Sequence, residues 1–209
     1  VCALYWFAFF KRKRIHYIWD KEFIMAVWNV IDHTEVSSTP TTAITKTGLS
    51  TSYDHMYLLV TARFEGASAK TDQIHLDVQL GTSSSIDTGS NYTWRYGARK
   101  ATSATVGASN VGAFIRTGAC AVNSDDAAIF AQYEMWIVNY ANTDNYPQLI
   151  WQGGRQNVSS TNDEYFVGFG CGSWANAGAV DSVKLLPSSG TGFTSGSTLT
   201  IYGINGDPS

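Results

Sequence analysis

The 209-residue chain is poor in charge, and that shortage excludes several classes of function before any motif is read. Only 15% of its residues are Asp, Glu, Lys or Arg, well below the usual share of about 25%. The net charge is -3, so there is no basic excess of the kind that binds nucleic acid. There are four prolines and three cysteines. Cys2, Cys120 and Cys171 are far apart and no C-x-x-C pair occurs, so no zinc site is indicated. Cys120 and Cys171 can be read as a disulfide, but two buried free thiols are the default for a protein assembled in a reducing cytoplasm. No apolar run reaches the roughly 20 residues a membrane-spanning helix needs. Helix-forming Lys and Glu are scarce, whereas Gly, Ser, Thr and Asn are abundant and 13% of residues are aromatic. This composition favours strands and turns.

The first 24 residues differ from the rest. An apolar run over 1–10 precedes the basic cluster Lys11-Arg12-Lys13-Arg14. A signal peptide has the reverse order and a small-residue cleavage site. Lys21-Glu22 has codons that can spell a purine-rich bacterial ribosome-binding sequence, and Phe23-Ile24 would space it from Met25. Residues 1–24 are therefore expected to be a translated leader and 25–209 a single domain. The rival reading is a short aromatic and basic membrane-surface anchor. Without the leader, nine Lys and Arg face fifteen Asp and Glu, a net charge of -6.

From Met25 onward the pattern has period two. Strands are expected over 28–36, 41–47, 55–64, 74–80, 91–99, 111–116, 128–140, 148–152, 165–170, 180–186 and 198–204. Gly, Ser, Thr, Asn and Asp clusters separate them. In the run over 55–64, Tyr57, Leu59, Thr61 and Arg63 fall on one side, and Met56, Leu58, Val60, Ala62 and Phe64 on the other. Over 128–140 a buried helix competes, but aromatic and β-branched residues favour a strand. The expected fold is all-β: an antiparallel two-sheet β-sandwich with jelly-roll-like connections.

The segment Asp87-Thr88-Gly89-Ser90-Asn91-Tyr92 carries the four letters found around the catalytic carboxylate of aspartic proteases. Such enzymes need two carboxyls sharing one proton. No second copy of the motif exists, so only a dimeric enzyme acting through Asp87 is compatible. The polar residues Ser83-Ser84-Ser85 before it do not suit a buried dyad. The alternative is a structural turn built by Asp87, Gly89 and Asn91, in which Gly89 can take a positive φ and Tyr92 starts a strand. No nucleophile elbow is present, and Gly170-Cys171-Gly172-Ser173-Trp174 resembles a cysteine-protease C-G-S-C-W box only loosely, with Ser173 where that box has its nucleophile. His55 and His75 can be placed opposite each other if their strands pair. The acid pairs Asp125-Asp126 and Asp163-Glu164 sit in turn-like clusters and are expected to be solvated. Catalytic residues, metal ligands and cofactors are therefore all expected to be none. Trp94, Tyr96, Trp151 and Trp174 are the candidates for a glycan or subunit contact.

Several segments together resemble the small β-sandwich virion proteins of tailed bacteriophages. They are Met25-Ala26-Val27-Trp28, the run YDHMYLLVTAR over 53–63, the turn over 87–92, Gly172-Ser173-Trp174 before Ser182-Val183-Lys184-Leu185, and GSTLTIYGI over 196–204. The likeness covers 25–204. It implies a non-enzymatic virion component, a head decoration or a tail tip or fibre protein, assembled in the bacterial host cytoplasm. It further implies self-association as a homo-oligomer, with a trimer as the count, and contact with other virion proteins. A host-surface glycan is a possible further partner, and neither nucleic acid nor a membrane is expected. No catalytic residue belongs to the resemblance.

Overall fold

The computed structural model describes residues 28–66, 74–100, 103–122, 128–156 and 165–205. The expected leader over 1–24 and both acid pairs lie outside these residues. The described chain is all-β. Its strands are β1 (Trp28–Glu35), β2 (Ile44–Lys46), β3 (His55–Glu65), β4 (His75–Thr82), β5 (Ser85–Ile86), β6 (Tyr92–Lys100), β7 (Ser103–Gly112), β8 (Ile115–Ala119), β9 (Ala121–Val122), β10 (Ala131–Val138), β11 (Gln148–Gln156), β12 (Tyr165–Trp174), β13 (Ser182–Pro187), β14 (Gly192–Phe193) and β15 (Thr198–Ile204).

Two sheets form. The larger has the order β1-β15-β3-β10-β11-β12-β6-β7, with β14 and β9 also on β3. The smaller has the order β2-β13-β4-β5, with β8 also on β4. Pairing is antiparallel except for β3 with β9. Within this pattern, β1-β15-β3-β10 faces β2-β13-β4-β8. That interleaving, with the chain switching sheets at successive connections, is the jelly-roll arrangement. Two hairpin-like insertions widen the larger sheet: β6 and β7 between β4 and β8, and β11 and β12 between β10 and β13.

The core lies between the sheets and follows the period of two. Leu58, Val60 and Ala62 of β3, Leu76, Val78 and Leu80 of β4, Met135 and Ile137 of β10, and Leu199 and Ile201 of β15 are all fully buried. Each buried side chain of this size contributes about 1.5–3 kcal/mol of transfer free energy. β12 needs glycine to fit over this core. A Cβ at Gly170 would lie 2.5 Å from the Arg95 carbonyl oxygen and 2.7 Å from Trp151 Nε1, and one at Gly172 would lie 2.5 Å from the Ile115 side chain.

The expected strand over 111–116 is divided. Gly112 ends β7, a bend at Ala113-Phe114 follows, and Ile115 begins β8. His55 and His75 lie in different sheets. His55 Nδ1 accepts from the Asn139 N–H at 3.2 Å, and His75 Nδ1 lies 3.1 Å from the Thr117 carbonyl. Cys120 and Cys171 are both free; Cys120 is buried as expected, but Cys171 is exposed.

Candidate functional site

Asp87 organises the turn between β5 and β6. Its Oδ1 accepts from the Gly89 N–H at 2.7 Å, and its Oδ2 accepts from Asn91 Nδ2 at 2.7 Å and Trp174 Nε1 at 2.8 Å. The Tyr92 hydroxyl lies 2.9 Å from the Leu80 carbonyl and 2.8 Å from the Asp87 carbonyl, and it accepts from the Leu80 N–H. Burial pushes the Asp87 carboxyl up. The donors Trp174, Asn91 and Gly89 outweigh that and hold it below the usual carboxylate range. The turn expected of Asp87, Gly89 and Asn91 is present, but Gly89 is outside the left-handed region. A side chain there would instead crowd Asn91 Nδ2 and Asp87 Oδ1, at 3.0 and 3.1 Å.

The four aromatics named as contact candidates do not form one surface. Trp151 and Trp174 are 1% and 0% exposed, so neither offers a ring to a partner. They occupy inward positions of β11 and β12, where the space between the sheets takes large side chains. Trp94 and Tyr96 of β6 are half-buried and stacked at 5.7 Å. Arg116 sits 5.8 Å from the Trp94 ring and also binds Asp77 through two N–H donors at 2.9 and 3.0 Å. Burial raises the Asp77 carboxyl to about 6, against the pull of Arg116. Burial likewise lowers the neighbouring His75.

The surface that stands out is the outer face of the larger sheet. Strand register aligns its outward residues in rows across the sheet. One row runs Val30, Tyr202, Tyr57, Trp136, Ile150, Cys171, Arg95, Ala108. The next runs His33, Thr200, Leu59, Glu134, Gln152, Phe169, Gly97, Val106. Outward positions of a sandwich strand are ordinarily polar. Here Trp28, Val30, Leu59, Val106, Val138, Ile150, Val167 and Phe169 are all exposed. Phe169 is 69% exposed and Val106 84%.

Two features shape this face. Toward β1, Trp28, Tyr57, Trp136 and Tyr202 form an aromatic cluster with ring centroids 4.8 to 6.0 Å apart. Tyr57 donates to Glu134 at 2.8 Å, and Gln152 Nε2 donates to the same carboxylate. Burial and then Glu134 push the Tyr57 hydroxyl up to about 12, and the two donors hold Glu134 below its usual range. Toward β7 lies a groove of about 820 Å3 lined by Leu59, Gly97, Val106, Gly153, Val167 and Phe169, among others. Sequence reading did not single out this face. The signal was present as apolar residues on both sides of β11 and β12, but the rows emerge only from the strand order.

Among the described residues, no group of three or more His, Cys, Asp or Glu is placed to hold a metal ion. Compared with protein families, curated proteins and solved structures, the chain matches none.

Proposed function

We propose that this protein is a non-enzymatic structural component of a bacteriophage virion, a head decoration or a tail tip or fibre protein, that works by self-association. The observation that carries the reading is the apolar outer face of the larger sheet. Eight strands at about 4.8 Å spacing make a face roughly 35 Å wide, and three outward residues per strand extend it by roughly 20 Å. Its area of about 700 Å2 is close to the roughly 800 Å2 each partner contributes to a stable interface. Exposed apolar side chains gathered on one face of this size, among polar ones such as Glu134, Gln152 and Arg95, mark a contact surface. The sandwich fold and the resemblance over 25–204 support a virion as the setting, with other virion proteins as neighbours and three copies as the count the resemblance implies. Asp87 does not suit a protease dyad. Its carboxylate is engaged by three donors and favours the ionised form, whereas a dyad needs a carboxyl that shares a proton. Mass spectrometry of purified particles from the source phage tests the reading: the protein is expected among the particle proteins, and its absence overturns the proposal.

A second reading is favoured by the aromatic cluster near β1. Trp28 is 47% exposed and stands near Tyr57, whose hydroxyl bonds the Glu134 carboxylate. Rings beside a carboxylate and an amide are the chemistry that recognises a sugar. A host-surface glycan, if bound, belongs here rather than at Trp151 or Trp174. A glycan array with wild type and Trp28→Ala checks this: binding lost in the variant supports it, and no binding by either removes it.

A further inference from the structure

β7 closes one edge of the larger sheet. Among the described residues it pairs with β6 alone. None of its ten residues is buried. Its sequence, SATVGASNVG, has only three β-branched residues, so strand propensity is low. On its other side, away from β6, no strand of the described residues pairs with it.

The other sheet edges are blunted, and β7 is not. β1 carries Asp32, His33 and Glu35, a register shift between Val30 and Asp32, and an ion pair from Lys46 to Asp32 at 2.9 Å. β2 has three residues and β5 has two, and β8, which pairs only with β4 among the described residues, carries Arg116 and a register shift opposite His75 and Asp77. Charge, bulges and shortness are the devices that stop edge-to-edge pairing. β7 contains no charged residue and no proline. Its one irregularity is at its C-terminal end, opposite Tyr92 and Trp94. There Arg95 Nη1 donates to the Ser109 carbonyl at 2.9 Å and Ser109 Oγ donates to the Val111 carbonyl at 3.0 Å.

The remaining segment, Ser103-Ala104-Thr105-Val106-Gly107-Ala108-Ser109, reads nearly the same from either end about Val106. An antiparallel pairing of this segment with itself places Ser103 opposite Ser109, Ala104 opposite Ala108, Thr105 opposite Gly107, and Val106 opposite Val106. Every pair is small or matched, and the central pair is β-branched, which favours cross-strand packing. Thr105 and Gly107 lie on the inner side, where a Cβ at 107 would come within 2.3 Å of the Tyr96 ring. The glycine therefore has a reason of its own.

We infer that β7 pairs antiparallel with β7 of a second copy, about a two-fold axis at Val106, so that two larger sheets join into one. Such a contact is isologous and needs no partner but the chain itself. It rests on the self-association part of the function proposed above. It also sets an even number of copies, in place of the three the resemblance implies.

The test uses the purified full-length chain with Cys2 and Cys171 changed to Ser and one cysteine placed at Val106→Cys or, separately, Ser103→Cys. A short bis-maleimide is expected to join two copies through position 106. Position 103 should not be joined, because its mate lies six residues off register, about 20 Å away. Sedimentation velocity of wild type should show an even-numbered species, and Val106→Lys, which sets like charges opposite each other, should raise its dissociation constant at least tenfold with the thermal midpoint unchanged. Should Val106→Lys fail to fold, the cross-linking decides alone. A wild type that stays monomeric overturns the inference. So does an oligomer joined through Cys171 of the otherwise native chain but not through position 106, although self-association itself would then stand. Efficient joining at 106 by a protein missing from purified particles leaves this pairing intact and removes the virion reading.

Discussion

Asp87 and Asp77 are pushed in opposite directions by their surroundings, and pH separates their contributions. Asp87 sits below its ordinary value because Trp174, Asn91 and Gly89 donate to it against the push of burial. The fold therefore favours its ionised form. That stability is present above the ordinary value of 3.8 and is lost as pH falls through the lower folded value. Replacing Asp87 by Ala also leaves the buried Trp174 indole N–H without its acceptor. The expected loss is about 1–3 kcal/mol in urea unfolding at pH 7, and the gap between wild type and variant should narrow below pH 3.8. Asp77 behaves the other way. Burial lifts it to about 6 despite the two Arg116 bonds. Its contribution is full below 3.8 and is lost as pH rises through about 6. Wild type should thus lose stability between those values relative to Asp77→Asn. His75 is lowered by burial but is present in both proteins, so it cancels from the difference.

At the scale of elements, strands with alternating apolar residues were legible and strands without them were not. The long apolar run over 55–64 became β3, and the run over 128–140 contains β10, because aromatic and β-branched residues fill one face of each. β7 escaped notice because Ser, Ala, Gly and Asn dominate it. The expected strand over 111–116 joined the end of β7 to the start of β8 because Val111, Phe114 and Ile115 read as one apolar group across a bend. The candidate site was only partly legible for a related reason. Trp151 and Ile150 are neighbours, and single-strand periodicity cannot say which of the two points inward. Packing against the second sheet decides, and it takes Trp151. That choice depends on Gly170, whose missing Cβ leaves room for the indole beside the Arg95 carbonyl. Backbone cannot yield as a flexible side chain can, so Gly170→Ala is expected to lower stability by about 1–3 kcal/mol. A fall in the thermal midpoint without loss of strand content by circular dichroism checks this.

The whole molecule is asymmetric, and the asymmetry bears on how it assembles. The outer face of the smaller sheet carries the polar pair Thr45 and Lys184 on β2 and β13, whereas Gln79 and the Asp77 carboxylate, which Arg116 binds, are buried. The outer face of the larger sheet carries Ile150, Val167, Phe169 and Val106. A lone domain in water gains nothing from the second arrangement, since those side chains are wet on one side in the monomer. They become useful only when covered, and covering them leaves the polar sheet outward. The variants Phe169→Glu and Ile150→Glu should therefore leave monomer stability within about 0.5 kcal/mol, because each side chain is exposed. Each should weaken self-association by about 2 kcal/mol or more, roughly a 30-fold rise in dissociation constant, as expected for a central apolar contact. Lys184→Glu on the opposite sheet should change neither quantity. Sedimentation equilibrium of the three variants beside wild type measures this directly. Equal weakening by Lys184→Glu and Phe169→Glu would mean that net charge, not the apolar face, governs assembly.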